Sequence, residues 1–202
     1  VKISNKQLEM NSIILASQSP RRKQLLEWAE VPFEVIVKST DETFPEDMLI
    51  EQVPIHIAHE KALGVKKYVQ EAFHATHAHQ PILAADTVVV LNNTIIGKPK
   101  DKDDAIAILT ALSGQHHQVI TGVVILTDDK EIAFADITDV EFHPLTQEQI
   151  EFYVDKYKPY DKAGAYAIQE WIGVVGIKAI KGDFYNVMGL PVSRVVQELQ
   201  KL

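Results

Sequence analysis

The chain has 202 residues, of which 46% are hydrophobic and 24% charged, with a formal charge of −8. That length can bury one good core or two small lobes, and that charge excludes the broad basic face a nucleic acid polymer needs. There is no cysteine, which excludes a disulfide framework and thiol chemistry.

No apolar run approaches the roughly 18–20 residues of a membrane span. The stretch from Val1 to Asn11 lacks the apolar centre of a signal peptide. The expectation is a cytoplasmic protein with no membrane partner, in which residues 1–11 form a leader and 12–202 a single domain of two lobes.

Ser12 to Ala16 is a short apolar run that reads as a buried strand. Ser19 and Pro20 open a helix to about Ala29, with serine as cap and proline in the first turn. Phe33 to Val37 alternates as a strand does, residues 39–52 form an acidic loop, and a helix runs from about Pro54 to Ala72. Residues 74–80 read as a polar turn rich in histidine. Ile82 to Leu91 is a strong strand, and Asn92-Asn93 turns it back into Thr94–Ile96. Asp101 caps an amphipathic helix that carries Ala105, Ile108, Leu109 and Leu112 on one face and ends at Gly114. Strands follow at Val119–Leu126 and Glu131–Phe142, and Thr146 to Gln149 form a capping box for a helix to about Lys156. Trp171–Ile180 reads as a strand and Pro191–Leu199 as a closing helix. Alternation of the two element types predicts an α/β fold.

Five places look chemical. In Ser17-Gln18-Ser19-Pro20-Arg21-Arg22, two arginines occupy the positive end of a helix, at a cost of a few tenths of a kcal/mol unless an anion sits there. A helix N-terminus with arginine beside it binds phosphate well; two solvated arginines are the plain alternative. Asp86 and Thr87 interrupt an otherwise apolar strand, and a buried aspartate is costly unless paired or metal-bound; it can also leave the sheet and be solvated. Gly97 and Pro99 fix the backbone around Lys98, a point charge suited to phosphate or an ordinary loop lysine. Lys61 lies near the apolar stripe of its helix with Ile57, Gly64 and Tyr68, either lining a site beside Glu60 or snorkelling. The small residues of 160–169 let a backbone approach a ligand closely, or make a tight packing turn, and Gln169 offers the donor and acceptor that base reading requires. His74, His77, His79, His116 and His117 read as surface residues rather than a metal site, and phosphate loops rich in glycine are absent.

These segments together resemble the Maf family of nucleotide pyrophosphatases. The matching stretches are LASQSPRRKQLL (15–26), DET (41–43), AHEKA (58–62), ADTVVV (85–90), IIGKPKDKDDAIAILTALSG (95–114), TGVVI (121–125), DKAGAYAIQ (161–169) and NVMGLP (186–191). They stand in the family's order and cover about residues 12–199. The leader is longer than usual, and Gln18 stands where a small residue is common.

The resemblance implies an elongated mixed sheet with flanking helices and a central cleft between two lobes, similar to inosine triphosphate pyrophosphatases. It implies cleavage of a nucleoside triphosphate between its α and β phosphates with a divalent cation, Mg²⁺ or Mn²⁺, and leaves room for a homodimer. By the same likeness Asp86 is the general base, and Glu42 with Asp86 holds the metal. Ser17, Arg21, Arg22, Lys61 and Lys98 bind phosphate. Arg21, Thr87 and Gln169 stand at the positions linked to base choice, in a set that looks like the branch acting on dTTP and UTP. A purine or 7-methyl-GTP pyrophosphatase on the same fold is one alternative. A nucleotide-sensing protein linked to septum formation is the other.

Overall fold

The apolar run Ile82–Leu91 forms β3, the strand on which the rest of the molecule is organised. In this computed structural model, residues 11–72, 77 and 79–202 are described. In chain order the elements are β1 (Ile13–Leu15), α1 (Pro20–Trp28), β2 (Phe33–Val35), α2 (Val53–Ala72), β3, β4 (Thr94–Ile96) and α3 (Lys102–Leu112). There follow β5 (His116–Leu126), β6 (Glu131–Phe142), α4 (Gln147–Tyr157), α5 (Trp171–Gly176), β7 (Ile177–Lys181), α6 (Phe184–Met188) and α7 (Val192–Leu199).

Among the described residues the strands make one mixed sheet of seven, in the order β2-β1-β3-β5-β6-β7 with β4 added to β3. β1 runs parallel to β2 and β3, whereas β3, β5, β6 and β7 are antiparallel neighbours. Along one side β3 pairs with β5 throughout. Along the other it pairs with β1 only at Ile82 and Leu83, and with β4 only at Val89 to Leu91. The stretch between those pairings carries Asp86 and Thr87, so the sheet is open where those side chains stand. The chain leaving β1 turns there into α1, which puts a helix N-terminus at the end of a parallel strand, where ligands of α/β sheets bind.

Buried apolar residues cover both faces of the sheet. On one side Leu25 and Leu26 of α1, Leu109 and Leu112 of α3, and Tyr153 of α4 pack on Leu83, Val123 and Ile125. On the other, Ala58, Ala62, Val65 and Val69 of α2, at helical spacing, cover Ile14, Ala84 and Val124. The approach of α2 is close: a Cβ on Gly122 would lie 2.2 Å from the Pro54 carbonyl carbon and from the Ile55 nitrogen. Only a glycine permits that contact.

The caps at Ser19, Asp101 and Thr146 form as expected. Trp171–Ile180 does not form one strand: its first part is α5 and only Ile177–Lys181 is β7. The Glu170 carbonyl accepts from both the Gly173 and Val174 N–H groups, and a Cβ at Gly173 would meet the Ile168 oxygen at 1.7 Å. The chain coils tightly there under contacts that its β-branched residues do not reveal. β5 begins at His116 rather than Val119, because β6 is long enough to pair with it. α6 has no strong periodic signal, being five residues capped by Asp183 and ended by Gly189 at a φ of 115°. No described helix is long and apolar enough to cross a membrane.

Candidate active site

A cleft of about 600 Å³ opens at the gap in the sheet. It is lined by Ser17, Arg21, Arg22, Glu42, Lys61, Asp86, Thr87, Lys98 and Gln169, the residues that the family resemblance assigns to the site. These side chains come from the β1–α1 turn, the first turn of α1, the loop after β2, α2, β3, the loop after β4 and the segment before α5.

At its centre Lys61 bridges two carboxylates. Its Nζ is 2.7 Å from Asp86 Oδ1 and 2.7 Å from Glu42 Oε1. Lys98 Nζ approaches the other Glu42 oxygen at 4.0 Å. Burial alone would raise the Glu42 carboxyl, but the hydrogen bond and charge of Lys61, with Lys98, outweigh it and hold the group below its ordinary range. Glu42 reaches this position because its loop lies on α2: Thr40 sits over Gly64, and Lys38 Nζ stands 4.6 Å from the Tyr68 ring centroid. Glu60, by contrast, faces His59 and is not part of the lining.

Arg22 is buried beside this centre. Its Nε donates to the Gly189 carbonyl at 2.7 Å, Nη1 to Ser17 Oγ at 3.1 Å and Nη2 to Thr87 Oγ1 at 3.0 Å. Burial lowers its pKa, an effect that the Asp86 charge opposes and the Arg21 charge reinforces. Three of the five guanidinium N–H groups are thus committed within the protein, leaving two. Thr87 is joined in turn to Thr121 at 2.9 Å, and Thr121 donates to the Asn186 carbonyl at 3.2 Å. Arg22 therefore ties α1 to β3 and to the end of α6.

The far wall comes from 161–170. The Gly164 N–H donates to the Gly97 carbonyl at 3.1 Å, fastening this segment to the loop of Lys98. Arg21 Nη1 reaches Asp161 Oδ2 at 3.5 Å, and Lys162 Nζ reaches Asp161 Oδ1 at 2.8 Å. Lys162 and Lys38 line the cleft without having been given a role from the sequence. The signal for Lys162 was present, since it lies inside the run of small residues that brings the backbone inward.

His117 was expected at the surface and is 3% exposed. It lies in phase with Val119, Thr121 and Val123 on the inward face of β5, a register that the longer strand makes visible. Its Nε2 is 2.7 Å from the Tyr166 hydroxyl, and burial, then the charge of His116, push its pKa down to about 4. His116 and His79 are at the surface, and His74 lies outside the described residues. Among the described residues, no three of His, Asp or Glu converge on a metal position.

Fold and site together define an α/β protein with a cleft lined by basic side chains, in which one lysine holds two carboxylates. The chain belongs to the Maf family: the model described as "Maf-like protein" matches residues 12–202. Proteins named "dTTP/UTP pyrophosphatase" are similar to it along nearly their whole length. That of Parabacteroides distasonis is 47% identical, covering 96% of this chain and 97% of its own. That of Cytophaga hutchinsonii is 46% identical (96% and 86%), and that of Halalkalibacterium halodurans 45% (95% and 96%). The Staphylococcus aureus Ham1 protein aligns over 93% of this chain and 100% of its own with a TM-score of 0.46 and 16% identity, too distant a likeness to argue from.

Proposed function

We propose that this chain hydrolyses dTTP and UTP between the α and β phosphates, releasing the nucleoside monophosphate and pyrophosphate, and that it does so in the cytoplasm. The observation that carries the reading is the Asp86–Lys61–Glu42 bridge, with 2.7 Å on each side, set in a cleft with Arg21, Arg22 and Lys98. The names of the relatives support the choice of substrate.

Asp86 is the general base. Lys61 holds its Oδ1, and the other oxygen takes a proton from the attacking water. As the new bond to the α phosphorus forms, the bond to the bridging oxygen breaks and the electron pair leaves with pyrophosphate. Lys98, Arg21, Ser17 and the α1 N-terminus receive the phosphate charge, and Arg22 adds its two uncommitted N–H groups. Arg21, Thr87 and Gln169 read the base. Glu42 and Asp86 each keep an oxygen that Lys61 does not take. Two carboxylates are too few for an all-protein cage, yet they suit a hard cation that draws its other ligands from water and phosphate. Bound there, Mg²⁺ or Mn²⁺ would offset charge on the phosphates.

The test is pyrophosphate release from a panel of nucleoside triphosphates with Mg²⁺, Mn²⁺ or EDTA. The expected outcome is release that needs the metal and is fastest with dTTP and UTP. Preference for ITP or 7-methyl-GTP would overturn the roles of Arg21, Thr87 and Gln169, and nucleotide binding without hydrolysis would replace the enzyme by a sensor.

A further inference from the structure

The base-reading wall is built on a side chain that does not touch the cleft. Tyr153, on α4, is fully buried, and its hydroxyl makes two hydrogen bonds that use both its proton and a lone pair. It donates to the Glu170 carboxylate, and it accepts from the Ala167 N–H at 3.2 Å. Ala167 and Glu170 are the two ends of one turn, closed by the Glu170 N–H donating to the Ala167 carbonyl at 3.1 Å. Gln169 is the exposed residue inside that turn. One oxygen therefore grips both ends of the loop that presents Gln169.

The grip continues to Arg21. The other Glu170 oxygen lies 3.7 Å from Lys162 Nζ; Lys162 is 2.8 Å from Asp161, and Asp161 is 3.5 Å from Arg21. The Lys162 side chain is 10% exposed, which fixes its end of the link, while Asp161 is 61% exposed and meets solvent. Arg21 is thus linked by side chains to Glu170, the backbone neighbour of Gln169.

We propose that Tyr153 and Glu170, with Lys162 as the link, are positioning residues for base selection: they set the place of Gln169 relative to Arg21 and take no part in the chemistry at Asp86. The inference rests on the function proposed above. Loosening the turn moves Gln169 away from the base and leaves Lys61, Asp86 and Glu42 as they are, since none of these bonds to the network. Base discrimination falls while the chemical step stays.

The experiment uses the full chain with Mg²⁺ and measures kcat and KM for dTTP, UTP, dCTP and dGTP. It compares wild type, Tyr153→Phe, Glu170→Ala, Glu170→Gln, Gln169→Ala and the Tyr153→Phe/Gln169→Ala double variant, with Tm for each. Tyr153→Phe removes one oxygen and keeps the ring in the core. It is expected to raise KM for the preferred base roughly five- to tenfold, the scale of one lost hydrogen bond, with kcat within about twofold. The preference over other bases should shrink by the same factor. Glu170→Gln, which keeps an acceptor for Tyr153, should recover most of the loss seen in Glu170→Ala. The double variant should be no worse than Gln169→Ala alone.

Equal loss for all nucleotides, a fall in kcat at unchanged preference, or a lowered Tm with normal selectivity would each assign Tyr153 a structural role only and overturn the proposal. A wild type that prefers another base sinks the dTTP/UTP reading, while the same ratio still decides the role of Tyr153. A wild type that hydrolyses no triphosphate sinks both.

Discussion

Asp86 stands in mid-strand opposite Gly122, where a carboxylate has no structural purpose that a valine would not serve better. Among the described residues its side-chain hydrogen-bond partner is Lys61. Asp86→Asn keeps the shape and an acceptor oxygen for Lys61 but cannot take a proton from water. Turnover should fall by about a hundredfold or more with the far-UV circular dichroism unchanged; turnover within a few-fold of wild type would remove Asp86 from the role of base. His117 makes a prediction of a different kind. Its ring stands edge-on to Phe142 and Tyr166, at centroid distances of 5.1 and 5.5 Å, and burial pushes its pKa down to about 4. The unfolded chain binds a proton near pH 6.5, so between those values it gains a proton that the folded chain refuses. Stability from this group is present above pH 6.5 and is lost as pH falls towards 4, by about 3 kcal/mol. In urea titrations from pH 7 to pH 4, the wild type should lose about that much more than His117→Gln; parallel curves would mean that the imidazole is not held neutral.

At the scale of elements, the cleft depends on how α2 is seated, because α2 carries Lys61 and supports the loop of Glu42. Gly122→Ala places a methyl 2.2 Å from the backbone of Pro54 and Ile55, and neither backbone is free to move without shifting the helix. The variant should lose about 1–3 kcal/mol of stability and also activity, as Lys61 is displaced from Asp86; urea midpoints and pyrophosphate release read the two effects. The same element shows what was legible in the sequence. Pro54 in a first turn and the helical spacing of Ile57, Lys61, Gly64 and Tyr68 point to α2, but nothing in that pattern says that its first turn lies on β5 backbone to backbone. β3 and the capped helices α1, α3 and α4 were legible because strong local signals specify them. α5 differs from the strand expected there because Ile172, Val174 and Val175 are β-branched residues that suit a strand, while the carbonyl contacts that coil the chain come from Ile168 and Glu170. The convergence of Arg21, Lys98 and Gln169 on one space was reachable only through resemblance, because pairings between distant segments leave no local trace. The burial of His117 was missed for the simpler reason that β5 was begun three residues late.

Over the whole molecule, two electrostatic effects on a triphosphate have opposite signs, and one measurement separates them. The chain carries a formal charge of −8, which repels an anionic substrate. The cleft is lined by six basic side chains, Arg21, Arg22, Lys38, Lys61, Lys98 and Lys162, against three acidic ones, Glu42, Asp86 and Asp161. The local field in the cleft is therefore positive. At about 0.1 M salt the Debye length is roughly 10 Å, so most of the acidic surface is screened from a ligand already in the cleft mouth, while the lining is within reach. If the lining governs capture, kcat/KM falls as ionic strength rises at fixed free Mg²⁺, because salt weakens an attraction. If the total charge governs it, kcat/KM rises, because salt weakens a repulsion. The first outcome is expected. Lys98 has a side chain that is 58% exposed and approaches a carboxylate oxygen only at 4.0 Å, so its charge is weakly compensated within the protein. Lys98→Ala should lower kcat/KM at low salt and flatten its dependence on ionic strength. A slope that stays the same in that variant would place the capturing charge elsewhere in the lining.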